Sequence, residues 1–168
     1  MRKALFCLTL LSYVGLSSSA VQAENSIKGV WRVSDIAREY NDQSISEPLP
    51  SQIIFTNRHY SIVWMPSEEA IPAFATRWQP TDEEKLQRFG EIVVNSGTYS
   101  LNGSELRIEP VVARFAEFMG GYIDYQLSWA GDDLVLTFMD EVTFDGVRAP
   151  WVAPHRGKEH LTLVRKED

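Results

Sequence analysis

The stretch that decides the fold is "YIDYQLSWAGDDLVLTFM", residues 122–139. In its first half, apolar or aromatic side chains alternate with polar ones, the first set being Ile123, Tyr125, Leu127 and Trp129. A period of two places alternate side chains on opposite faces of a β-strand, so this half predicts a strand with one buried face. The residues "AGDD" then predict a turn, and "LVLTFM" predicts the returning strand of an antiparallel hairpin.

The same alternation recurs along most of the chain. Asn102-Gly103 is a strong signal for a tight hairpin turn, and the apolar residues on either side of it match in face. Eight strands are predicted, at residues 29–37, 51–56, 59–65, 97–101, 104–109, 121–130, 133–140 and 159–165. Eight antiparallel strands in one small domain favour an all-β fold, an up-and-down barrel closed on itself.

One segment departs from the strand pattern. "TDEEKLQRFGEIVVNSG", residues 81–97, begins with Thr81 and has Glu84 three residues later, the signature of a capping box. Leu86, Phe89 and Val93 follow at helical spacing. The sequence therefore predicts one short helix, inserted between the third and fourth predicted strands.

The triplet Gly29-Val30-Trp31 opens the first predicted strand, and Arg165 closes the last. Closing the barrel places these two strands side by side, and strand parity turns Trp31 and Arg165 inward at the same end. An indole capped by a guanidinium is a favourable cation–π pair. Gly29, Trp31 and Arg165 are therefore predicted to form a structural plug in the barrel floor.

The N-terminal stretch "MRKALFCLTLLSYVGLSSSAVQA", residues 1–23, has a basic start, an apolar centre and a small-residue end. This pattern predicts a secretory signal peptide cleaved near Ala23, which leaves one domain at residues 24–168 and a secreted or periplasmic protein. Cys7, the only cysteine, lies in this segment, so no disulfide is expected in the domain. No later segment is long and apolar enough to predict a membrane span.

Charge and motif content exclude several function classes. The chain has a net charge of -7, and loss of residues 1–23 leaves 14 basic against 23 acidic side chains, or -9. Nucleic-acid binding is therefore not expected, because it needs clustered Lys and Arg. The histidines are dispersed, and no motif predicts a metal site, a cofactor or a catalytic residue. Asp140, Glu141 and Asp145 are interpreted as a solvated acidic loop.

Several segments resemble the bacterial lipocalin-like domain proteins of the lipocalin and calycin superfamily. The matching segments, in that family's order, are "GVWRV", "IIFTNRHYSIVW", "TDEEK", "SGTYSLNGSELRIEP", "FMGG" and "DDLVLTF". The resemblance spans residues 27–165. It implies a lipocalin-like barrel in which the Gly-x-Trp of the first strand packs against the Arg of the last.

The sequence contains more bulky aromatic residues than are needed to fill the floor of one small barrel. Some lie in the Pro-punctuated stretches 66–80 and 144–157, which we expect to run over a barrel mouth. Two interpretations stay open: the aromatic side chains fill the interior, or they line a cavity for one small ligand. The candidate ligand-binding residues are Asp35, Tyr60, Trp64, Trp78, Arg114, Phe118, Tyr125 and Trp129.

The favoured function is a non-enzymatic carrier or sensor that binds a small, mostly hydrophobic molecule inside the barrel. One alternative is a lipocalin-like enzyme, an isomerase, cyclase or hydratase acting on a hydrophobic metabolite, with Asp35, Glu117 or Tyr125 as general acid or base. A second alternative is an envelope or interaction protein with a filled core. No oligomeric state is predicted.

Overall fold

A computed structural model of the chain describes residues 27–39, 41–152 and 158–167. The predicted signal peptide, its cleavage site near Ala23 and Cys7 lie outside these residues. Among the described residues, no helix is both long and apolar enough to cross a membrane. The elements are β1 (Gly29–Arg38), β2 (Gln43–Ser46), β3 (Leu49–Phe55), β4 (His59–Met65), α1 (Asp82–Glu91), β5 (Val93–Asn102), β6 (Glu105–Ala113), a 3₁₀ turn (Ala116–Phe118), β7 (Tyr122–Ala130), β8 (Asp133–Val142) and β9 (Glu159–Glu167).

The strands form an antiparallel barrel that closes where β9 pairs with β1. On its other edge, β1 pairs with β3 through residues 29–31 and with β2 through residues 35–38. The strands β2 and β3 therefore share one position, and the barrel has eight positions for nine strands. The prediction of an all-β, eight-stranded, antiparallel closed barrel is confirmed.

The predicted position of the helix in the strand order is wrong. Helix α1 lies between β4 and β5. The prediction counted one strand too few before the helix, because the short strand β2 shows no alternation of apolar residues. The capping box is present: the Thr81 hydroxyl accepts from the Glu84 amide, and the Glu84 carboxylate accepts from the Thr81 amide. The helix ends at Glu91, so Val93 belongs to β5 and not to the helix.

A compact cluster around Trp31 closes one end of the barrel. The Trp31 side chain is fully buried, and its Nε1 donates to the carbonyl of Ile27 at 2.8 Å. The guanidinium carbon of Arg165 lies 4.1 Å from the Trp31 ring centroid, and its Nη1 donates to the carbonyl of Lys28 at 2.6 Å. The Trp129 ring packs 6.0 Å from the Trp31 ring. Gly29 enters this cluster with a φ of 128°, which favours glycine.

Replacing Trp31 with Ala should lower the free energy of unfolding by about 3–5 kcal/mol, because the change empties the space of a fully buried indole. Urea denaturation followed by circular dichroism measures this loss. Trp78→Ala is the matched control, because Trp78 is 89% exposed and its truncation should change stability by less than about 0.5 kcal/mol. Equal free energies of unfolding for the two variants would show that the Trp31 side chain does not stabilise the closed end of the barrel.

Candidate functional site

The end of the barrel opposite Trp31 contains a cavity of about 300 Å³. It lies where β4 and β8 end and where β5, β7 and β9 begin. Its walls are Ile62, Trp64, Val93, Asn95, Ile123, Tyr125, Phe138, Glu141, Trp151, Glu159 and Leu161. Seven of these are apolar or aromatic without a charge, and the four others, Asn95, Tyr125, Glu141 and Glu159, carry the polar groups discussed below.

Glu141 reaches the cavity because β8 contains a bulge. Tyr125 pairs with Phe138 and Asp124 pairs with Asp140, so Met139 is an extra residue on β8. A bulge of one residue reverses the alternation of faces along the rest of the strand. Asp140 consequently turns out and pairs with Arg148 at 2.7 Å, whereas Glu141 lines the cavity. The interpretation of Glu141 as part of a solvated acidic loop is therefore wrong.

The environment of Glu141 favours its neutral form. Burial is the main cause, and it raises the pKa of this carboxyl above its ordinary value, with a further contribution from the negative charge of Glu159. The Trp151 indole Nε1 donates to the Glu141 carboxylate at 2.6 Å, and this hydrogen bond and the charge of Arg114 lower the pKa in part. The carboxyl is thus held in place, with a pKa above its ordinary value.

Two further polar side chains face this space. Asn95 on β5 is 8% exposed, and its Oδ1 has no hydrogen-bond partner among the described residues. Tyr125 on β7 is partly buried, and burial, with help from the charges of Glu141 and Glu159, raises the pKa of its phenol. Tyr125 therefore stays protonated and offers a hydroxyl, while Asn95 offers an unused acceptor.

Glu159 lies at the rim of the cavity with a fixed partner. It is the cross-strand neighbour of Arg38 on β1, and the Arg38 Nε donates to its carboxylate at 2.7 Å. Both side chains are mostly buried. This pair ties β1 to β9 at the mouth, and Arg38 compensates the negative charge of Glu159 there.

A second, smaller cavity of about 190 Å³ adjoins the first. The two share Val93, Asn95, Ile123, Glu141 and Trp151. The second is completed by residues of β6 and the turn after it, among them Arg114, Phe115 and Phe118. The hydrogen-bonded pair of Glu141 and Trp151 therefore lines both of these adjoining spaces.

Arg114 also holds helix α1 against the barrel. Its Nη1 donates to the carbonyl groups of Phe89, Gly90 and Ile92, at the C-terminal end of the helix. Its guanidinium carbon lies 4.4 Å from the Phe115 ring centroid. A cation at a helix C-terminus satisfies carbonyls that lack intrahelical partners and complements the helix dipole.

The candidate ligand-binding residues lie in several parts of the structure and do not form one site. Trp64 and Tyr125 line the first cavity, and Arg114 and Phe118 line the second. Tyr60 is buried in the core, and its hydroxyl has no hydrogen-bond partner among the described residues. Trp129 belongs to the floor cluster around Trp31, and Trp78 stands exposed in the loop before α1.

Asp35 does not continue the inward face of Trp31 and Val33. The pairing of β1 with β9 shifts between Val33 and Asp35, and this bulge makes Ile36 the next fully buried residue. Asp35 instead accepts a hydrogen bond from the Ser46 hydroxyl on β2. Glu117, another candidate acid, is exposed in the 3₁₀ turn.

Sequence reasoning missed three polar residues of the cavity, which are Asn95, Glu141 and Glu159. Asn95 falls in the segment interpreted as the end of the helix, and Glu141 depends on a bulge that no local pattern reveals. Trp151 lies in the stretch that was expected to run over the mouth, and residues 153–157 of that stretch lie outside the described residues.

Comparison with known proteins adds no assignment to this site. The sequence matches no protein-family model and no curated protein sequence.

Replacing Glu141 with Gln should stabilise the fold increasingly as pH rises. Because the folded-state pKa is raised above its ordinary value of 4.5, the stability contributed by neutral Glu141 is fully present below that pH. It is lost as pH rises through the folded-state pKa, whereas Gln stays neutral. Urea denaturation from acid to neutral pH should show a growing advantage of Glu141→Gln over the parent.

The matched control is Glu69→Gln, because Glu69 is exposed in the loop after β4. Its stability should follow that of the parent at each pH. A constant or shrinking difference between Glu141→Gln and the parent would show that the fold does not disfavour the Glu141 carboxylate.

Proposed function

We propose that the protein is a carrier or sensor that binds a small, mostly hydrophobic molecule in the barrel interior. The observation that carries this proposal is the cavity of about 300 Å³, with mainly apolar walls and a few polar groups gathered at one end. Ligand sites have this composition, and their volumes start at roughly 300 Å³. The apolar walls would supply affinity, and Asn95, Tyr125 and Glu141 would orient the ligand.

Further support comes from the architecture. The floor is closed by Trp31 and Arg165, so a ligand would enter from the end where Trp151 and Glu159 lie.

We further propose that the chain is a bacterial lipocalin-like protein and acts outside the cytoplasm. The barrel is compatible with that resemblance, and the pattern of residues 1–23 supports export.

The cavity also bears on the filled-core alternative. A barrel that served only as an interaction surface would need no internal space of this size, and burial of polar groups without partners would cost stability. Asn95 and Tyr60 carry such groups. A polar ligand group that pairs with Asn95 would offset part of that cost.

A neutral bicyclic hydrocarbon such as 1-methylnaphthalene should bind to the protein with one-to-one stoichiometry in isothermal titration calorimetry. Val93→Phe should weaken this binding by about tenfold or more, equivalent to about 1.4 kcal/mol, because the larger side chain occupies the space between the two cavities. The matched control is Val63→Phe on β4, where the side chain points away from the cavity and is 37% exposed.

Circular dichroism of both variants checks that they fold. Binding that is absent in the parent, or equal in Val93→Phe and Val63→Phe, would contradict a ligand site in the barrel interior.

A second candidate function is acid–base catalysis on a hydrophobic metabolite, as in an isomerase, cyclase or hydratase. The observation that favours it is Glu141, a buried carboxyl of raised pKa beside the phenol of Tyr125. Such a carboxyl is a stronger base when ionised and a better acid catalyst near neutral pH. Tyr125 would donate a hydrogen bond to a carbonyl oxygen of the substrate.

The test of catalysis is hydrogen–deuterium exchange in the apolar ketone 2-tetralone. In D₂O, ionised Glu141 would take a proton from the carbon next to the carbonyl, exchange it with the solvent for deuterium, and return that deuterium to the carbon, which mass spectrometry detects. Exchange should exceed the buffer rate with the parent and fall to that rate with Glu141→Gln. Equal exchange with the parent, the variant and buffer would exclude this base catalysis.

A further inference from the structure

We propose that the cavity selects molecules that carry a protonated amine on an apolar body. This inference rests on the proposed function and names its ligand class. It depends on the hydrogen-bonding character of the polar groups in the wall, on one buried acceptor that no described residue satisfies, on the aromatic rings around it, and on the placement of the nearby cations.

The polar groups of the cavity are mostly acceptors. Glu141 and Glu159 present carboxylates, and Asn95 presents a carbonyl oxygen. Two nearby donors already have acceptors, because Trp151 donates to Glu141 and Arg38 donates to Glu159, while the Tyr125 hydroxyl can both donate and accept. An ammonium group has three donors and no acceptor, so it complements this set.

Asn95 gives a second, independent indication. Its side chain is more than nine-tenths buried and lines both cavities, and no described residue forms a hydrogen bond with its Oδ1. A buried acceptor without a partner costs free energy that a ligand donor would recover. Asn95 and Glu141 lie together in the walls of both cavities, so one ammonium group placed between the cavities would serve both.

Aromatic rings complete the environment. Trp64, Tyr125, Phe138 and Trp151 contribute four of the eleven wall residues. Aromatic rings attract cations through the negative potential of their faces, most strongly where water is excluded. The same rings would also pack against an apolar ligand body.

Two cations that the structure describes near the site have other partners. Arg114 donates to the carbonyl groups at the end of α1 and lies against Phe115, and Arg38 pairs with Glu159. Among the described residues, an anionic ligand would therefore lie beside the Glu141 carboxyl and meet no cation that lacks another partner. A cation would instead form a charge pair with Glu141 in a partly water-excluded space.

The experiment uses four probes with one bicyclic body: 1-naphthylmethylamine, 1-naphthylmethanol, 1-naphthoic acid and 1-methylnaphthalene. Isothermal titration calorimetry at neutral pH should rank the amine first, about tenfold or more above the alcohol. The acid should bind most weakly. Because the four share the apolar body, their differences report the polar group alone.

Two variants locate the preference. Glu141→Gln should reduce amine affinity to about that of the alcohol, because the charge is lost and the side-chain volume is kept. Glu69→Gln, an exposed substitution of the same kind, should change neither. In the parent, amine affinity should rise with pH as Glu141 ionises in the field of Arg114, Glu159 and the Trp151 donor.

The outcomes separate this inference from the proposed function. Binding of the hydrocarbon with no preference for the amine, or with a preference for the acid, would overturn the amine inference and leave a general apolar binding site. An amine preference that survives in Glu141→Gln would overturn the assignment of Glu141. Absence of binding by all four probes would reject the proposed function and the amine inference together.

Discussion

The ladder between β1 and β9 is the contact on which the rest of the structure depends. It joins the first and last strands from Val30–Glu167 to Arg38–Glu159, and closure of the barrel removes the exposed edges that an open sheet would leave. Closure also creates the interior itself, because only a closed sheet has an inside that side chains can fill or leave open.

The two ends of this ladder hold different cross-strand pairs. At the floor, Trp31 pairs with Arg165, and the guanidinium covers a fully buried indole. At the mouth, Arg38 pairs with Glu159 through an ion pair. Large aromatic rings fill the barrel at the first end, and charged groups lie at the rim of the cavity at the second end. The same strand pair therefore borders the filled end and the open end of the interior.

Bulges determine which charged groups face the interior. On β1, the irregularity after Val33 turns Asp35 toward β2 and buries Ile36. On β8, the extra residue Met139 turns Asp140 outward and aims Glu141 into the cavity. Each bulge reverses the faces of the residues that follow it, and on β8 this places Glu141 in the wall that the two cavities share.

The all-β barrel, its closure and the helix cap could be predicted from the sequence, because these follow from alternation of side chains and from turn and cap residues that act locally. Strand parity was enough to bring Trp31 and Arg165 to one end. Only the tertiary structure decided that Asn95, Tyr125, Glu141 and Glu159 share a cavity. Their positions depend on bulges and on the register between strands that are distant in sequence. A shift of one residue in a bulge or in the register moves a side chain from the inside of the barrel to the outside.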